Sequence, residues 1–310
     1  MKTETIDSTS NATEKVDVYS IITDRIISLL EAGTVPWQKP WTGIRNADGS
    51  AVMPANFVSK KAYRGVNVFL LSAVRFTCPY WLTYRQASEL GGNVKKGEKG
   101  FPVVFWKRLI VEDKVTKERK VIPMLRYYTV FNIEQCEGIS WEKPAPIPAP
   151  ETPSFNPIEE CVRIVDAMPA KPDIRHLGNR ACYSPFLDIV QMPVAESFEK
   201  PEAYYSTLFH ELTHATGHKS RLDRKGISTE LAGFGSETYS KEELVAEMGA
   251  SFLCGFAGIV NSTIDNSAAY IASWLRKLKD DRKLVVFAAA QAQRASDFIL
   301  GITFDKPDED

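Results

Sequence analysis

The sequence predicts a two-domain α+β protein, and three observations support this fold class. Residues 141–157 contain six prolines in seventeen positions, a density that neither a helix nor a central strand tolerates. The net charge changes sign at the same place: residues 1–140 carry 20 basic and 14 acidic side chains, whereas residues 141–310 carry 18 and 25. Helical and alternating apolar periodicities occur on both sides. We therefore predict a basic α+β domain and an α/β domain joined by a Pro-rich linker.

The predicted organisation has five segments. The first fifteen residues are polar and lack the apolar stretch of a signal peptide, and no apolar run approaches the ~18 residues of a membrane span. Five widely spaced cysteines without a CxxC pair argue against a disulfide scaffold and indicate a reducing compartment. We expect a cytoplasmic protein with no membrane partner. Its segments are a disordered tail (1–15), the basic domain (16–140), the linker (141–157), the α/β domain (158–304) and an acidic tail (305–310).

Periodicity and turn residues place the elements of the basic domain. Residues 16–33 have apolar positions at helical spacing and end at a glycine suited to a helix C-terminus. Two shorter helices and two long strands rich in β-branched and aromatic residues follow. The predicted helices are 16–33, about 67–74 and 81–91, and the predicted strands are 94–113 and 117–135.

The α/β domain begins with an amphipathic helix at 158–169, and turn residues separate short strands within 174–193. The strands at 181–191 could offer an edge to the backbone of a substrate. A helix opened by Pro201 follows. After it we predict a polar loop (219–239), a helix from Ser240, and helices at 266–279 and 281–300.

The clearest motif is FHELTHATGH at residues 209–218, which holds three of the four histidines. His210 and His214 are four residues apart, so their imidazoles project from one helix face and can share a tetrahedral ion. Glu211 can reach a water at that ion and serve as general base. The motif predicts one Zn²⁺, with another divalent transition metal as an alternative.

The third ligand is ambiguous from the sequence alone. His218 is disfavoured because Gly217 is placed to end the helix before it. Glu243 and Glu247 are four apart on the next long helix, and either could bind the ion while the other hydrogen-bonds a ligand histidine. Glu243 is the preferred ligand, although a capping box with Ser240 would occupy it instead.

One further catalytic candidate precedes that helix. Tyr239 could polarise a carbonyl or stabilise an oxyanion.

Aromatic and basic residues are interleaved through the first domain, and within 60–108 ten residues are basic and two acidic. Stacking rings beside phosphate-neutralising cations are typical of proteins that hold single strands. An aromatic core beneath a solvated basic face would give the same composition. The candidate DNA-binding residues are Trp37, Trp41, Lys60, Lys61, Tyr63, Arg64, Trp81, Tyr84, Arg85, Lys95, Lys96, Lys99, Trp106 and Lys107.

Several blocks resemble a known family. PWQKPW, NFVSKKAYRGVN, WLTYRQASELGGNVKKGEKG and VVFWK are similar to the N-terminal domain shared by ArdC-type plasmid antirestriction proteins and TraC-type conjugative primases. YSPFLDIVQMP, FHELTHATGHKSRLDR and YSKEELVAEMGASFL resemble the zincin-like metallopeptidase domain that follows it. The resemblance covers nearly the whole chain apart from the polar tail and linker.

The resemblance implies a single-stranded DNA-binding domain followed by a zinc-peptidase domain. In that domain His210, His214 and a downstream glutamate would be ligands, and Glu211 the base. It also implies protection of incoming plasmid DNA from host restriction during conjugation, with an unknown protein substrate that could be a restriction-system component. The alternative is a non-catalytic accessory protein of plasmid replication or conjugation that binds single-stranded DNA and in which zinc is structural.

Overall fold

The computed structural model describes seven stretches of the chain. Both predicted tails, almost all of the Pro-rich linker and Trp41 lie outside them, so the structure does not bear on these. The described residues are 17–38, 52–74, 76–112, 119–141, 157–228, 237–261 and 267–303.

The first domain opens with helix α1, Val18–Glu31. Asp17 caps its N-terminus by accepting a hydrogen bond from the Tyr19 backbone N–H at 3.1 Å. Gly33 follows its end with a φ of +76°, the left-handed conformation that glycine adopts without steric cost. The predicted helix and its stop are confirmed.

Most of the first domain is built on a four-stranded sheet in the order β1-β2-β5-β4. The hairpin of β4 and β5 is its largest part, paired from Phe101 opposite Val130 to Glu112 opposite Arg119. Strands β3 and β6 form a separate two-stranded sheet. The bounds are β1 Ala55–Asn56, α2 Val66–Ser72, β2 Tyr80–Thr83, α3 Tyr84–Glu89, β3 Asn93–Val94, β4 Phe101–Glu112, β5 Arg119–Asn132 and β6 Cys136–Glu137.

The prediction of one helix over 81–91 was wrong at its start. Trp81 and Leu82 belong to β2, and the helix begins only after Thr83. Thr83 and Gln86 form a capping box there, which satisfies free N–H groups of the first turn and fixes the change from strand to helix.

The second domain places helices around a three-stranded sheet in the order β7-β9-β8. Strand β9 is central, pairing parallel with β7 and antiparallel with β8. The bounds are α4 Pro157–Ala167, β7 Asp173–His176, β8 Cys182–Ser184, β9 Ile189–Met192, α5 Pro201–Ala215, α6 Lys225–Ser228, α7 Glu237–Ala257, α8 Ala268–Asp280 and α9 Leu284–Ile299.

One hydrophobic core crosses between the domains. Buried residues of α1 and α2 join the same cluster as buried residues of α7, α8 and α9. Phe69 of α2 stacks on Phe252 of α7 with ring centroids 4.7 Å apart. The first domain therefore packs directly on the helices that follow the FHELTHATGH segment. A second cluster joins α4, α5, α7 and the small sheet.

Helices α5 and α7 approach each other closely at Gly249. A Cβ built there would lie well inside van der Waals contact with Cγ2 of Thr213, and 2.7 Å from its Oγ1. Only glycine lets the helices cross at this distance. Below the crossing, buried Arg224 binds both helices, donating to the Thr213 carbonyl at 2.8 Å and to Glu242 at 3.1 Å.

The substitution Gly249→Ala should destabilise the protein by up to about 2 kcal/mol. Overpacking a core contact costs roughly 1–3 kcal/mol, and the higher helix propensity of alanine returns about 1. Chemical denaturation measures the change. Adding Thr213→Ala removes the opposing atoms, so the double variant should be less destabilised than the sum of the two single variants. Additive losses would show that the helices do not meet at this point.

Candidate metal centre and nucleic-acid surface

The centre is built first on helix α5. Leu208, Leu212 and Ala215 are buried on one stripe against the core. That stripe fixes the rotation of the helix, so that His210 and His214 emerge together on an adjoining face. Their ring nitrogens Nε2 lie 3.2 Å apart.

Glu243 of α7 completes the cluster. Its Oε2 lies 3.6 Å from Nε2 of His210, and its Oε1 lies 3.4 Å from Nε2 of His214. One ligand atom from each of the three residues falls within 4.8 Å of the others. The capping-box alternative is not realised, because α7 begins at Glu237 and Ser240 lies inside the helix.

These donors fit a divalent metal ion. Two imidazole nitrogens and one carboxylate are the ligand set of a catalytic zinc site, which keeps a fourth position for water or substrate. The Nδ1 atoms of His210 and His214 are buried, and neither has a hydrogen-bond partner within the described residues. The polar contacts of both rings therefore lie on the Nε2 side, where the carboxylate also points.

Electrostatics favour positive charge at the centre. Burial alone would raise the pKa of Glu243, but its hydrogen bonds to His210 and His214 outweigh burial and hold that pKa far below its usual value. For His210, burial alone would lower the pKa. The neighbouring Glu243 carboxylate outweighs burial, so the pKa of His210 is raised. The site therefore favours a proton on His210, at a place where a cation would also be stabilised.

The remaining histidines lie outside the cluster. His218 Nδ1 is 2.7 Å from the Ser220 hydroxyl, and His176 Nε2 is 2.9 Å from the Tyr204 hydroxyl. Helix α5 ends at Ala215, two residues before Gly217. A side chain at Gly217 would come within 2.7 Å of Ile227 Cγ1, so close packing, and not a left-handed turn, requires glycine there.

Glu247 lies one turn beyond Glu243 but outside the group of converging ligand atoms. Its Oε2 accepts hydrogen bonds from Trp37 Nε1 at 3.1 Å and from the Tyr270 hydroxyl at 2.5 Å. No hydrogen bond joins it to the unpartnered histidine Nδ1 atoms, so the predicted bond to a ligand histidine is absent from the described structure. Burial raises the pKa of Glu247 to about 7.

Sequence reasoning missed the Trp37–Glu247–Tyr270 network. Trp37 is 210 positions from Glu247 along the chain, and Tyr270 is 23. No local pattern links them. The sequence offered one indirect signal. Glu247 lies on an apolar stripe beside Leu244 and Met248, and a glutamate buried there needs a hydrogen-bond partner from elsewhere in the chain.

Glu211 is 8% exposed and follows the first histidine on α5. Cys182 of the edge strand β8 is near enough for the Glu211 carboxylate to contribute to raising its thiol pKa, after the larger effect of burial. The base candidate thus lies next to His210 along α5 and near the outer strand β8. The backbone of Tyr239 lies in the first turn of α7, and its side chain is outside the description, so its role stays a prediction.

Three of the aromatic residues predicted to bind DNA are buried in the protein core instead. Trp37 is 0% exposed, Trp81 1% and Tyr63 6%. Trp81 packs edge-on against Phe76 and Phe101. Their ring faces are covered, so they do not offer the stacking surface that composition suggested.

The other described candidates are exposed. Some have intramolecular partners: Arg85 pairs with Glu89 at 2.7 Å, and Lys95 Nζ donates to the Glu134 carbonyl at 2.9 Å. The hairpin of β4 and β5 adds exposed aromatic rings that the candidate set omitted, at Phe105, Tyr127 and Tyr128. The exposed candidates are Lys60, Lys61, Arg64, Tyr84, Arg85, Lys95, Lys96, Lys99, Trp106 and Lys107.

This architecture defines a zincin-like metallopeptidase fold joined to a basic N-terminal domain. Residues 160–291 match the zincin-like metallopeptidase family, and residues 16–131 match the N-terminal domain of the anti-restriction factor ArdC. The crystal structure of the antirestriction protein ArdC from plasmid R388, in its metal-free form, is 40% identical, covers 92% of this chain and 97% of that chain, and superposes with a TM-score of 0.68. The Mn(II)-bound form gives 39% identity, 93% and 98% coverage, and a TM-score of 0.70.

The chain belongs to the ArdC family of antirestriction proteins. It is also 38% identical to the uncharacterized protein y4eC of Sinorhizobium fredii, with 91% of each chain covered. The DNA primase TraC of Escherichia coli is 36% identical over 94% of this chain, which spans only 20% of the primase. None of the described helices is long and apolar enough to cross a membrane.

We expect Glu247→Gln to remove a pH dependence of stability from the metal-free protein. The folded-state pKa of about 7 lies above the reference value of 4.5, so ionisation opposes folding. The wild-type free energy of unfolding should therefore fall as pH rises from about 4.5 to 7, by about 3 kcal/mol at most. Glutamine keeps an acceptor for Trp37 and Tyr270 without the charge.

Denaturation in the presence of a chelator at pH 5 and pH 8 measures this effect. The variant should gain stability relative to wild type at pH 8 and show no such gain at pH 5. Glu199→Gln, at an exposed position, is the matched control and should follow wild type at both values. The prediction would be contradicted if the free energy of unfolding changed with pH by the same amount in wild type and in Glu247→Gln.

Proposed function

We propose that this protein binds single-stranded DNA through its first domain and hydrolyses a peptide bond in a protein substrate through its second. It would thereby protect incoming plasmid DNA from host restriction during conjugation, in the cytoplasm. The observation that carries the enzymatic half is the convergence of His210, His214 and Glu243 beside the buried Glu211. A component of the restriction system is the protein substrate that best fits this role.

The metal we propose is Zn²⁺, because two imidazoles and a carboxylate suit it. Other divalent transition metals use the same donors, and the R388 relative has been solved with Mn(II). When bound, the ion would polarise the scissile carbonyl and lower the pKa of a water.

The chain itself supplies proton transfer and alignment. Glu211 takes a proton from the attacking water and returns it to the leaving amine. Among the described strands, β8 pairs only with β9, so its other edge can align an extended substrate backbone next to Glu211. Tyr239 is proposed to steady the oxyanion.

For the first domain, the exposed cations and rings provide the two components that hold a single strand. Lysines 95, 96 and 99 follow α3 on an exposed segment and can neutralise phosphates. Tyr84 and Trp106, 59% and 46% exposed, offer faces on which bases can stack.

A second candidate function is a non-catalytic accessory protein of plasmid replication or conjugation that binds single-stranded DNA. One observation favours it: the three donors join α5 to α7, and α7 shares its core with the first domain. An ion would therefore cross-link the helices on which the DNA-binding domain rests, whether or not it supports hydrolysis.

Glu211→Gln should separate these functions. The variant should bind Zn²⁺ as wild type does, because Glu211 lies outside the group of ligand atoms, while peptide hydrolysis falls by about a hundredfold or more. Under the catalytic proposal, transfer of an unmodified plasmid into a restricting host should then lose protection. Undiminished protection would leave the non-catalytic function standing.

Two controls calibrate this experiment. Glu243→Ala removes a ligand, so metal affinity measured by calorimetry should fall about a hundredfold or more. His218→Ala, on a histidine outside the cluster, should retain metal, hydrolysis and protection.

The DNA proposal predicts that Lys96→Ala with Lys99→Ala weakens oligonucleotide binding and flattens its salt dependence. Each lysine–phosphate ion pair contributes about 0.7 to the magnitude of the slope of log K against log salt, so the double variant should lose about 1.4. Fluorescence anisotropy over a series of salt concentrations measures it. Lys200→Ala with Lys219→Ala removes the same charge from exposed sites of the second domain. Equal slopes for both pairs would argue against a specific basic surface.

A further inference from the structure

A cavity of about 340 Å³ opens where the two domains meet. The start of α2 and strand β4 form one side, and α9 of the second domain forms the other. We propose that this cavity holds one unstacked base of a bound single strand, so that α9 is part of the DNA-binding surface. The inference rests on the proposed DNA-binding function and extends it to the second domain.

The cavity has the lining that a base requires. Its apolar part comes from Val66 and Val104 of the first domain and from Val286 and Ala290 of the second. Trp106 also lines it and is 46% exposed. A flat, partly apolar ring stacks on such an indole face, and every base has a π-face to offer. The volume is within the range of small-molecule sites.

Cations from both domains border the same space. Arg64 precedes α2 and is 44% exposed in its side chain while it pairs with Asp297. Arg294 is on the exposed side of α9. A base in the cavity would bring the phosphates on either side of it near these guanidiniums, which bind phosphate with good geometry.

The walls are held in place before any ligand arrives. The Asn67 side chain, itself buried, accepts from the Val104 N–H at 2.7 Å and donates to the Val104 carbonyl at 2.8 Å. Gly65 donates its N–H to Gln293 Oε1 at 3.0 Å. The Gly65 backbone has φ of +57° and ψ of −138°, a combination that glycine adopts readily because it has no Cβ. These bonds fix α2 to β4 and then to α9.

The cavity continues into the exposed hairpin. Trp106 lies beside Phe287 of α9 at 6.1 Å between ring centroids. Phe105 also lines the cavity; it contacts Tyr128 at 5.8 Å between ring centroids, and Arg126 is paired with it in the register. A strand leaving the cavity therefore meets further rings and a cation. Duplex DNA would have to unstack a base to bind in this way, which favours single strands.

Binding of the full chain to a fluorescein-labelled oligothymidylate of about 15 nucleotides tests this inference. Trp106→Ala should raise Kd about tenfold and Arg294→Ala about fivefold. An oligomer of the same length with abasic sites should bind wild type more weakly than the intact oligomer. Trp106→Ala should discriminate between the two oligomers clearly less than wild type does, because it lacks the ring on which the base in the cavity stacks.

Matched controls separate a local effect from general ones. Arg276→Ala removes one exposed positive charge from α8, outside the cavity, and should leave Kd near wild type. Trp106→Leu keeps an apolar side chain and should also bind weakly. Thermal unfolding monitored by circular dichroism confirms that each variant is folded.

The outcomes distinguish this inference from the function beneath it. If wild type binds the oligomer, and Trp106→Ala and Arg294→Ala bind it with the wild-type Kd, the proposal that the cavity holds a base is overturned and the DNA-binding function stands. If Trp106→Ala still discriminates intact from abasic oligomers as wild type does, the cavity assignment is also overturned. Failure of wild type to bind would overturn the DNA function and this inference together.

Discussion

The crossing of α5 and α7 at Gly249 and Thr213 is the constraint on which the candidate metal centre depends. A metal ligand on each helix must reach a common point, and the reach of a glutamate side chain is short. Since a glycine faces a threonine at the crossing, the backbones approach closely enough for Glu243 to meet both histidines. Arg224, held by backbone and carboxylate acceptors on both helices, fixes the orientation of α7 at the end that carries Glu243.

A second constraint operates one turn further along α7. Glu247 is buried in a place that disfavours its charge, and Trp37 and Tyr270 compensate by donating hydrogen bonds to it. Trp37 belongs to the first domain and Tyr270 to α8. The helix that carries Glu243 is therefore bound to both domains through the Glu247 carboxylate. This network also explains why Trp37 is buried: its indole N–H has a structural acceptor and its ring fills the shared core.

Local chemistry determined what the sequence could predict. The His210–His214 spacing implies a common helix face wherever the helix lies, and helix α1 with its Gly33 stop follows from periodicity and one backbone preference. The ambiguity between Glu243 and Glu247 had a different origin, because both lie on one face and only the packing partner decides which reaches the histidines. Ser240 suggested a cap that the structure does not use, since α7 starts three residues earlier. Trp37, Tyr63 and Trp81 were misassigned because composition counts aromatic rings without indicating which of them the fold buries.

The shared core also bears on how these domains are inherited. Ile22, Phe69, Val285 and Trp274 are at most 3% exposed and belong to one cluster to which both domains contribute. Recombination that separated the domains would uncover large apolar side chains on each fragment, and each such side chain contributes roughly 1.5–3 kcal/mol when buried. Selection would then favour recombination events that transfer the two domains together. The similarity to TraC agrees with this expectation. It covers 94% of this chain, and therefore both domains, within a stretch that makes up 20% of the primase.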